Sequence, residues 1–163
     1  MAMILVAYTS KGGNTRKLAE AVAAGVKEVE GVECVLKEAK DVTREDFICA
    51  AGIIAGSPVY FGAMSAELKS MFDRNVALRR KMEGKVGAAF ATSGHHTGGK
   101  ETTIFSILAA MLIYGMVVMG DPIDAGGHYG VACVGSPDQE TINSGRALGK
   151  RVARMAKTVV GTA

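Results

Sequence analysis

Met3 to Arg16 reads as strand, turn and helix in immediate succession, and this unit confines the chain to folds built on a parallel sheet. Ile4 to Tyr8 is apolar or aromatic throughout, as expected of a strand buried on both faces. Thr9, Ser10, Lys11, Gly12, Gly13, Asn14 and Thr15 form a hydroxyl- and glycine-rich turn. Beyond it Leu18, Ala19, Val22, Ala23 and Val26 recur at helical spacing. A strand that runs through such a turn into a helix aims free backbone N–H groups and the positive helix end at one point. That geometry binds an anion, most often a phosphate. The alternative is an ordinary capped turn between strand and helix.

Two common phosphate motifs are ruled out. A nucleotide-hydrolysing P-loop needs a lysine directly after its last glycine, and here Lys11 precedes Gly12 and Gly13. The dinucleotide fingerprint Gly-x-Gly-x-x-Gly is also missing, because Asn14, Thr15 and Arg16 follow the glycine pair. What remains is a loop around a single phosphate group. Ser10 and Thr15 would supply hydroxyls, Gly12 and Gly13 N–H groups, and Lys11 charge. Ser10-Lys-Gly-Gly-Asn-Thr15 resembles the phosphate loop of flavodoxins, which holds the phosphate of FMN.

Along the rest of the chain, strands are expected at Val32–Glu38, Ala50–Ala55, Val86–Ala91 and Met116–Met119. Helices are expected at Ala63–Arg80, Lys100–Ile113 and Gln139–Val159, with a short turn or helix at Asp41–Phe47. Alternating strands and helices make an α/β fold with helices on both faces of a parallel sheet. The expected architecture is a flavodoxin-like three-layer sandwich with a five-stranded sheet in the order 2-1-3-4-5, spanning residues 1–163 as one domain. The chain's 163 residues and 21 glycines suit one compact α/β domain with tight loops.

The formal charge of +3 is too small to argue for nucleic acid, and no basic run is interleaved with aromatics. Cys34, Cys49 and Cys133 are widely spaced and odd in number, so they read as small core residues, with no disulfide framework and no metal site. The apolar run Ile104–Met119 is too short to span a membrane and is broken at Tyr114-Gly115. No signal peptide is legible at the N-terminus, so a cytoplasmic location is expected.

In such a sheet, ligands sit at the carboxyl ends of the strands beside the point where strand order reverses. The loops after strands one, three and four all end there, and all three are rich in glycine and hydroxyls. The second is Gly56-Ser-Pro-Val-Tyr-Phe-Gly62. Pro58 sets its path out of the sheet, Val59, Tyr60 and Phe61 offer an apolar cover for a flat ring, and Gly62 permits close backbone approach. Either aromatic can instead pack into the core or a subunit contact. The third is Thr92-Ser93-Gly94-His95-His96-Thr97-Gly98-Gly99, suited to the polar edge of a heterocycle. His95 and His96 are candidates to position an acceptor oxygen or supply a proton, or are simply solvated.

Four further segments sharpen the resemblance. Val59-Tyr-Phe-Gly-Ala-Met-Ser65, Gly98-Gly-Lys-Glu-Thr-Thr-Ile104, Gly115-Met-Val-Val118 and Gly127-His-Tyr-Gly130 are similar, in order, to segments of WrbA-type NAD(P)H:quinone oxidoreductases. The resemblance implies FMN as cofactor, NAD(P)H as co-substrate, a quinone-like acceptor, and a homodimer or homotetramer. It makes His95, His96, Tyr114 and His128 the candidates for contact with the second substrate. Tyr114 stands where the family carries a histidine, and the insertions that help build the family's tetramer and substrate mouth are shortened here. One pocket used in turn by nicotinamide and quinone explains the absence of a dinucleotide fingerprint. The rival reading is a non-enzymatic flavodoxin-type electron carrier, which would need an acidic docking surface that a chain at +3 lacks. A flavin-binding partner within a larger complex is a further alternative. A receiver-type signalling domain needs an acidic pair after strand one, where Tyr8, Thr9 and Ser10 stand.

Overall fold

The computed structural model describes residues 1–161. Strands β1 (Ala2–Tyr8), β2 (Val32–Glu38), β3 (Gly52–Pro58), β4 (Val86–Ser93), β5 (Val117–Val118) and β6 (Val131–Val134) form one sheet. Between and after them lie helices α1 (Asn14–Lys27), α2 (Arg44–Cys49), α3 (Ala66–Arg74), α4 (Arg79–Met82), α5 (Lys100–Ile113) and α6 (Gln139–Gly161). All strand pairs are parallel and the order runs β2-β1-β3-β4. Parallel strands need crossovers, and the helices supply them on both faces.

The fifth place in the sheet differs from the five-strand expectation. It is shared by two short strands, β5 opposite Val86–Gly87 and β6 opposite Phe90–Ser93. Between them residues 119–130 leave the sheet and return. Asp121 holds this excursion closed, its carboxylate accepting the N–H groups of Gly127 and His128 at 3.0 Å each. Arg151 of α6 donates to the carbonyls of Gly120 and Asp121 at 3.1 and 2.6 Å. The two limbs pass so closely that a Cβ on Gly120 would lie 1.9 Å from the His128 carbonyl oxygen.

Alternate strand residues face opposite sides of the sheet, so the core divides into two layers. Ile4, Val6, Ile54 and Phe90 meet α1 and α6 on one side. Leu5, Ala7, Ile53 and Ala55 meet α2, α3 and α5 on the other. Each fully buried Val, Leu, Ile or Phe side chain among them contributes about 1.5–3 kcal/mol. Glycine sets the close contact between α1 and α6. A Cβ on Gly149 would lie 2.0 Å from the Val22 carbonyl oxygen, and one on Gly25 would lie 1.9 Å from that of Arg146.

The helix expected over Ala63–Arg80 is broken. Buried Asn75 ends α3 by donating its side-chain N–H to the Met71 carbonyl at 2.9 Å, and a 3-10 turn at Val76–Leu78 leads into α4. Local side-chain bonding of this kind competes with continued helix. Of the three cysteines, Cys133 is buried and Cys34 half-buried, whereas Cys49 is exposed at the end of α2 rather than in the core. Burial raises the Cys34 thiol to about 11. Burial also raises that of Cys133, and a hydrogen bond to Glu45 raises that of Cys49. None is an activated nucleophile.

Candidate functional site

The carboxyl ends of β1, β3 and β4 bring the three loops together. Thr9 donates its N–H to the Gly56 carbonyl at 3.1 Å, and its hydroxyl lies 2.8 Å from that of Ser65, tying the first loop to the second. Ser10 Oγ accepts the Gly13 N–H at 3.1 Å, curling the loop on itself. Gly13, at φ 89°, opens α1 in the left-handed region, where glycine carries no Cβ penalty. A Cβ added at Gly12 or Gly13 would meet no atom within 4 Å, so the space before the helix is open.

Buried Thr15 on α1 and Thr92 at the end of β4 face each other with hydroxyls 2.7 Å apart. One hydrogen bond between two hydroxyls uses only one of their two hydrogens. The second has no hydrogen-bond acceptor among the described residues, so the pair presents a donor at the mouth of α1. Lys11 sets its ammonium over the Tyr60 ring, 5.5 Å from the centroid, linking the first and second loops.

The second loop is a tight hairpin. Tyr60 and Ala63 exchange N–H to carbonyl bonds of 3.2 and 3.1 Å, leaving Phe61 and Gly62 as its two-residue tip. Both tip residues have positive φ, 51° and 72°. Two left-handed central residues suit a two-residue hairpin, and a bulky residue there is strained. The Phe61 ring is fully exposed and Tyr60 is partly exposed. Val59 N–H is bonded to the Thr92 carbonyl at 2.8 Å. Pro58 closes β3, and Ser57 Oγ accepts the Ser65 N–H at 2.8 Å beneath the loop.

The third loop closes on Ser93, whose hydroxyl donates to the His95 carbonyl at 2.8 Å and accepts the His95 N–H at 3.2 Å. A Cβ on Gly98 would lie 2.4 Å from Ser93 Oγ, and one on Gly99 2.8 Å from the Gly62 Cα, so only glycines let the second and third loops meet. His95 Nδ1 accepts the Thr97 N–H at 3.2 Å. In its neutral form this ring therefore carries its hydrogen on Nε2. His96 and Gly94 are exposed beside it, with the two imidazole centroids 6.4 Å apart.

Helix starts give the site its electrostatic character. Both α1 and α5 begin on a left-handed glycine, Gly13 and Gly99, with no side-chain cap. The starts of α2, α3 and α6 are closed: Ser65 accepts the Leu68 N–H on α3, Asp138 that of Thr141 on α6, and Thr43 with Asp46 forms a capping box on α2. Two uncapped helix starts at one edge of the sheet place positive potential there, and the spare hydroxyl hydrogen of Thr15 and Thr92 adds a donor. This set suits an anionic acceptor such as a phosphate and does not suit a cation. Among the described residues no group of three His, Cys, Asp or Glu is placed to hold a metal ion.

Two sequence candidates lie elsewhere. Tyr114 follows α5 in the core, packed against Phe47 and Phe72 with ring centroids 6.0 Å away, and its hydroxyl donates to the Phe72 carbonyl at 2.5 Å. Burial, with a smaller contribution from Asp73, pushes its phenol up to about 12. It takes no place among the three loops. His128 lies on the excursion, in a cleft of about 340 Å³ lined also by Lys100, Ile104 and Tyr129. That cleft meets the site only at the first turn of α5. Thr9, Ser57 and Ser65, which brace the first two loops, were not singled out. Of the three only Ser57 carries a local signal, set between Gly56 and Pro58; Thr9 and Ser65 are flanked by neither glycine nor proline. Size does not mark the site, since a groove of about 1170 Å³ runs along α6 and the excursion and contains no residue of the three loops.

A doubly wound parallel sheet with an open, phosphate-suited helix start at its switch point defines a flavodoxin-like protein. The chain belongs to the NADPH-dependent FMN reductase family, whose model matches residues 32–129. It is 37% identical over 94% of its length to a flavodoxin of Aquifex aeolicus, covering 86% of that protein. It is 36% identical over 96% of its length to an NAD(P)H dehydrogenase (quinone) of Archaeoglobus fulgidus, covering 98% of that protein. Its fold matches that of the WrbA-like flavodoxin from Agrobacterium tumefaciens with a TM-score of 0.82, at 23% identity, over 97% of this chain and 99% of that one. The chain is thus an oxidoreductase with FMN as cofactor and NAD(P)H as electron donor.

Proposed function

We propose that this protein passes two electrons from NAD(P)H through FMN to a quinone or a similar flat acceptor. The observation that carries the reading is the pairing of an open α1 mouth with an open α5 mouth across three glycine-braced loops. Ser10 to Thr15 would hold the phosphate, with N–H groups at the start of α1 and the spare hydroxyl of the Thr15–Thr92 pair as donors. Bound FMN supplies the hydride chemistry that no side chain of this chain can perform. Pro58, Val59 and Tyr60 would line one face of its ring system, while Phe61 and Gly62 shape the rim. Thr92, Ser93, Gly94, Gly98 and Gly99 would frame the polar edge, where the uncapped start of α5 favours added negative charge. His95, fixed by Thr97, would offer its Nε2 hydrogen to an acceptor oxygen, with exposed His96 beside it. The acceptor reading is also supported by the Archaeoglobus relative, which is named for quinone. The Aquifex relative, named flavodoxin, favours a carrier instead, against which the net charge of +3 counts.

The test is to load the protein with FMN, add NADH or NADPH without oxygen, and follow the visible flavin band. Bleaching by a nicotinamide cofactor, reversed by benzoquinone, is the expected result. A flavin that dithionite reduces but neither nicotinamide cofactor bleaches would make the protein a carrier.

A further inference from the structure

The positive charge of the chain is concentrated in one stretch. Residues 74–85 carry Arg74, Arg79, Arg80, Lys81 and Lys85 against a single acid, Glu83, so this stretch alone exceeds the +3 of the whole chain and the remainder is net negative. None of the five cations is paired with a carboxylate among the described residues, whose ion pairs all lie elsewhere. Asp73, the acid just before the stretch, is held by Lys69 at 2.6 Å. The partners that the cations do have are backbone carbonyls: those of Ala39 and Val42 for Arg74, Ile113 for Arg79, and Phe47 and Ile48 for Lys85. Neutral partners fix these side chains and leave their charge in place. Arg80 and Lys81 are exposed on α4.

The bond from Arg79 to the Ile113 carbonyl, at 2.6 Å, and that from the Gly84 N–H to the Gly115 carbonyl, at 2.9 Å, seat this stretch against the end of α5. There Leu112 and Ile113 are 57% and 66% exposed, and Val76, in the turn before α4, is 65% exposed. The cations fit an anionic partner, and the aliphatic groups beside them fit a non-aqueous one. A bilayer surface rich in acidic headgroups offers both at once. A single-stranded nucleic acid is met by aromatic rings on which its bases stack, whereas Val76, Leu112 and Ile113 are all aliphatic.

We propose that this face seats the protein on an anionic lipid surface, with Arg79, Arg80 and Lys81 among the headgroups and Val76, Leu112 and Ile113 at the boundary with the acyl chains. Attachment is peripheral, since no helix among the described residues is long and apolar enough to cross a membrane. The face lies at the far end of α5 from Gly99. The 14 residues of that helix, at about 1.5 Å each, separate it from the three loops by about 20 Å, so attachment leaves the mouth of the site open to water. The proposal does not depend on which acceptor the flavin reduces.

Co-sedimentation of the FMN-loaded chain with sucrose-filled vesicles tests this, the vesicles being phosphatidylcholine alone or mixed with phosphatidylglycerol. The wild type is expected to pellet with the anionic vesicles, to be released by salt, and to stay in solution with the neutral ones. Each cation at such a surface changes partitioning about fivefold, so Arg80→Gln with Lys81→Gln should weaken it about thirtyfold. Lys27→Gln with Arg154→Gln removes the same charge from exposed positions on α1 and α6 and should weaken it less than about threefold. Val76→Ser with Ile113→Ser keeps the charge and should weaken it on the order of tenfold. All three variants should keep the wild-type circular dichroism spectrum, since none of these side chains lies in the core. A wild type that stays in solution with anionic vesicles overturns the proposal. So do equal losses in the two charge variants, which would make net charge alone responsible. Binding that is untouched in the serine variant and is displaced by polyuridylic acid overturns it in favour of a nucleic-acid surface. A dimer in sedimentation equilibrium that the serine variant splits overturns it as well, because a second copy would then cover the aliphatic groups.

Discussion

Replacing Thr15 by valine keeps the shape of the side chain and removes one hydroxyl from a buried pair. In the wild type the two oxygens are 2.7 Å apart, so the variant strands the Thr92 hydroxyl at a site only 5% exposed. Leaving such a group unsatisfied costs about 1–3 kcal/mol of folding free energy. If the Thr15 hydroxyl also donates to the FMN phosphate, a bond to a charged acceptor is lost, worth about 1.5–3 kcal/mol, or a tenfold to hundredfold rise in Kd. Thr92→Val separates the two effects. It breaks the same pair, with a similar loss in a urea titration, but leaves Thr15 free to donate, so FMN affinity should change less than about threefold. Fluorescence quenching of FMN gives the affinities directly. Equal losses of affinity in the two variants, or a wild-type Kd in Thr15→Val, would refute the assignment of Thr15 as the phosphate donor. In the stability cycle the double variant should lose less than the sum of the singles, because the two hydroxyls are direct partners.

Tyr114→Phe should leave NADPH-driven turnover unchanged and cost about 1 kcal/mol through the lost bond to the Phe72 carbonyl. A phenol raised to about 12 in the folded state stabilises the fold below its unfolded value near 10 and loses that contribution as pH rises through 12, so the wild type should weaken across that window and the variant less steeply. Gly149→Ala forces a methyl group against the Val22 carbonyl and should cost about 3 kcal/mol, a fall in melting temperature on the order of 10 °C. A variant melting with the wild type would show that α1 and α6 can move apart freely.

Local patterning made much of this molecule legible. Strand β2 and helix α5 have the bounds expected from the sequence, because Val32, Cys34 and Leu36 alternate with Glu33 and Lys37, and Gly99 and Gly115 bracket the helix. The three loops were legible because glycine and hydroxyl residues have few other reasons to cluster after apolar runs. The place of Tyr114 in the core is not legible from its position in the chain. Its aromatic partners Phe47 and Phe72 are 67 and 42 residues away in the chain, and no local pattern announces such contacts. Strand β6 was missed for a related reason. Four residues after a glycine-rich loop make too short a run to stand out, and the pairing with Phe90–Ser93 is long-range, across an excursion that Asp121 holds closed. The break in the expected third helix rests on the side chain of Asn75, whose competing bond to Met71 becomes visible only when its burial is known.

The divided outer strand also bears on solubility. An uninterrupted edge of paired-strand length would offer a row of free N–H and C=O groups to any passing chain, the usual route to aggregation by strand addition. Here β5 offers two residues and β6 four, separated by a folded loop pinned to α6, so no stretch long enough to template a foreign strand is presented. At the opposite edge β2 carries Glu33, Lys37 and Glu38. Lys37 is bound to Asp46 at 2.8 Å and Glu38 to Lys40 at 2.8 Å, so a strand arriving there would have to displace charged neighbours. The sheet is thereby protected from growth in both directions.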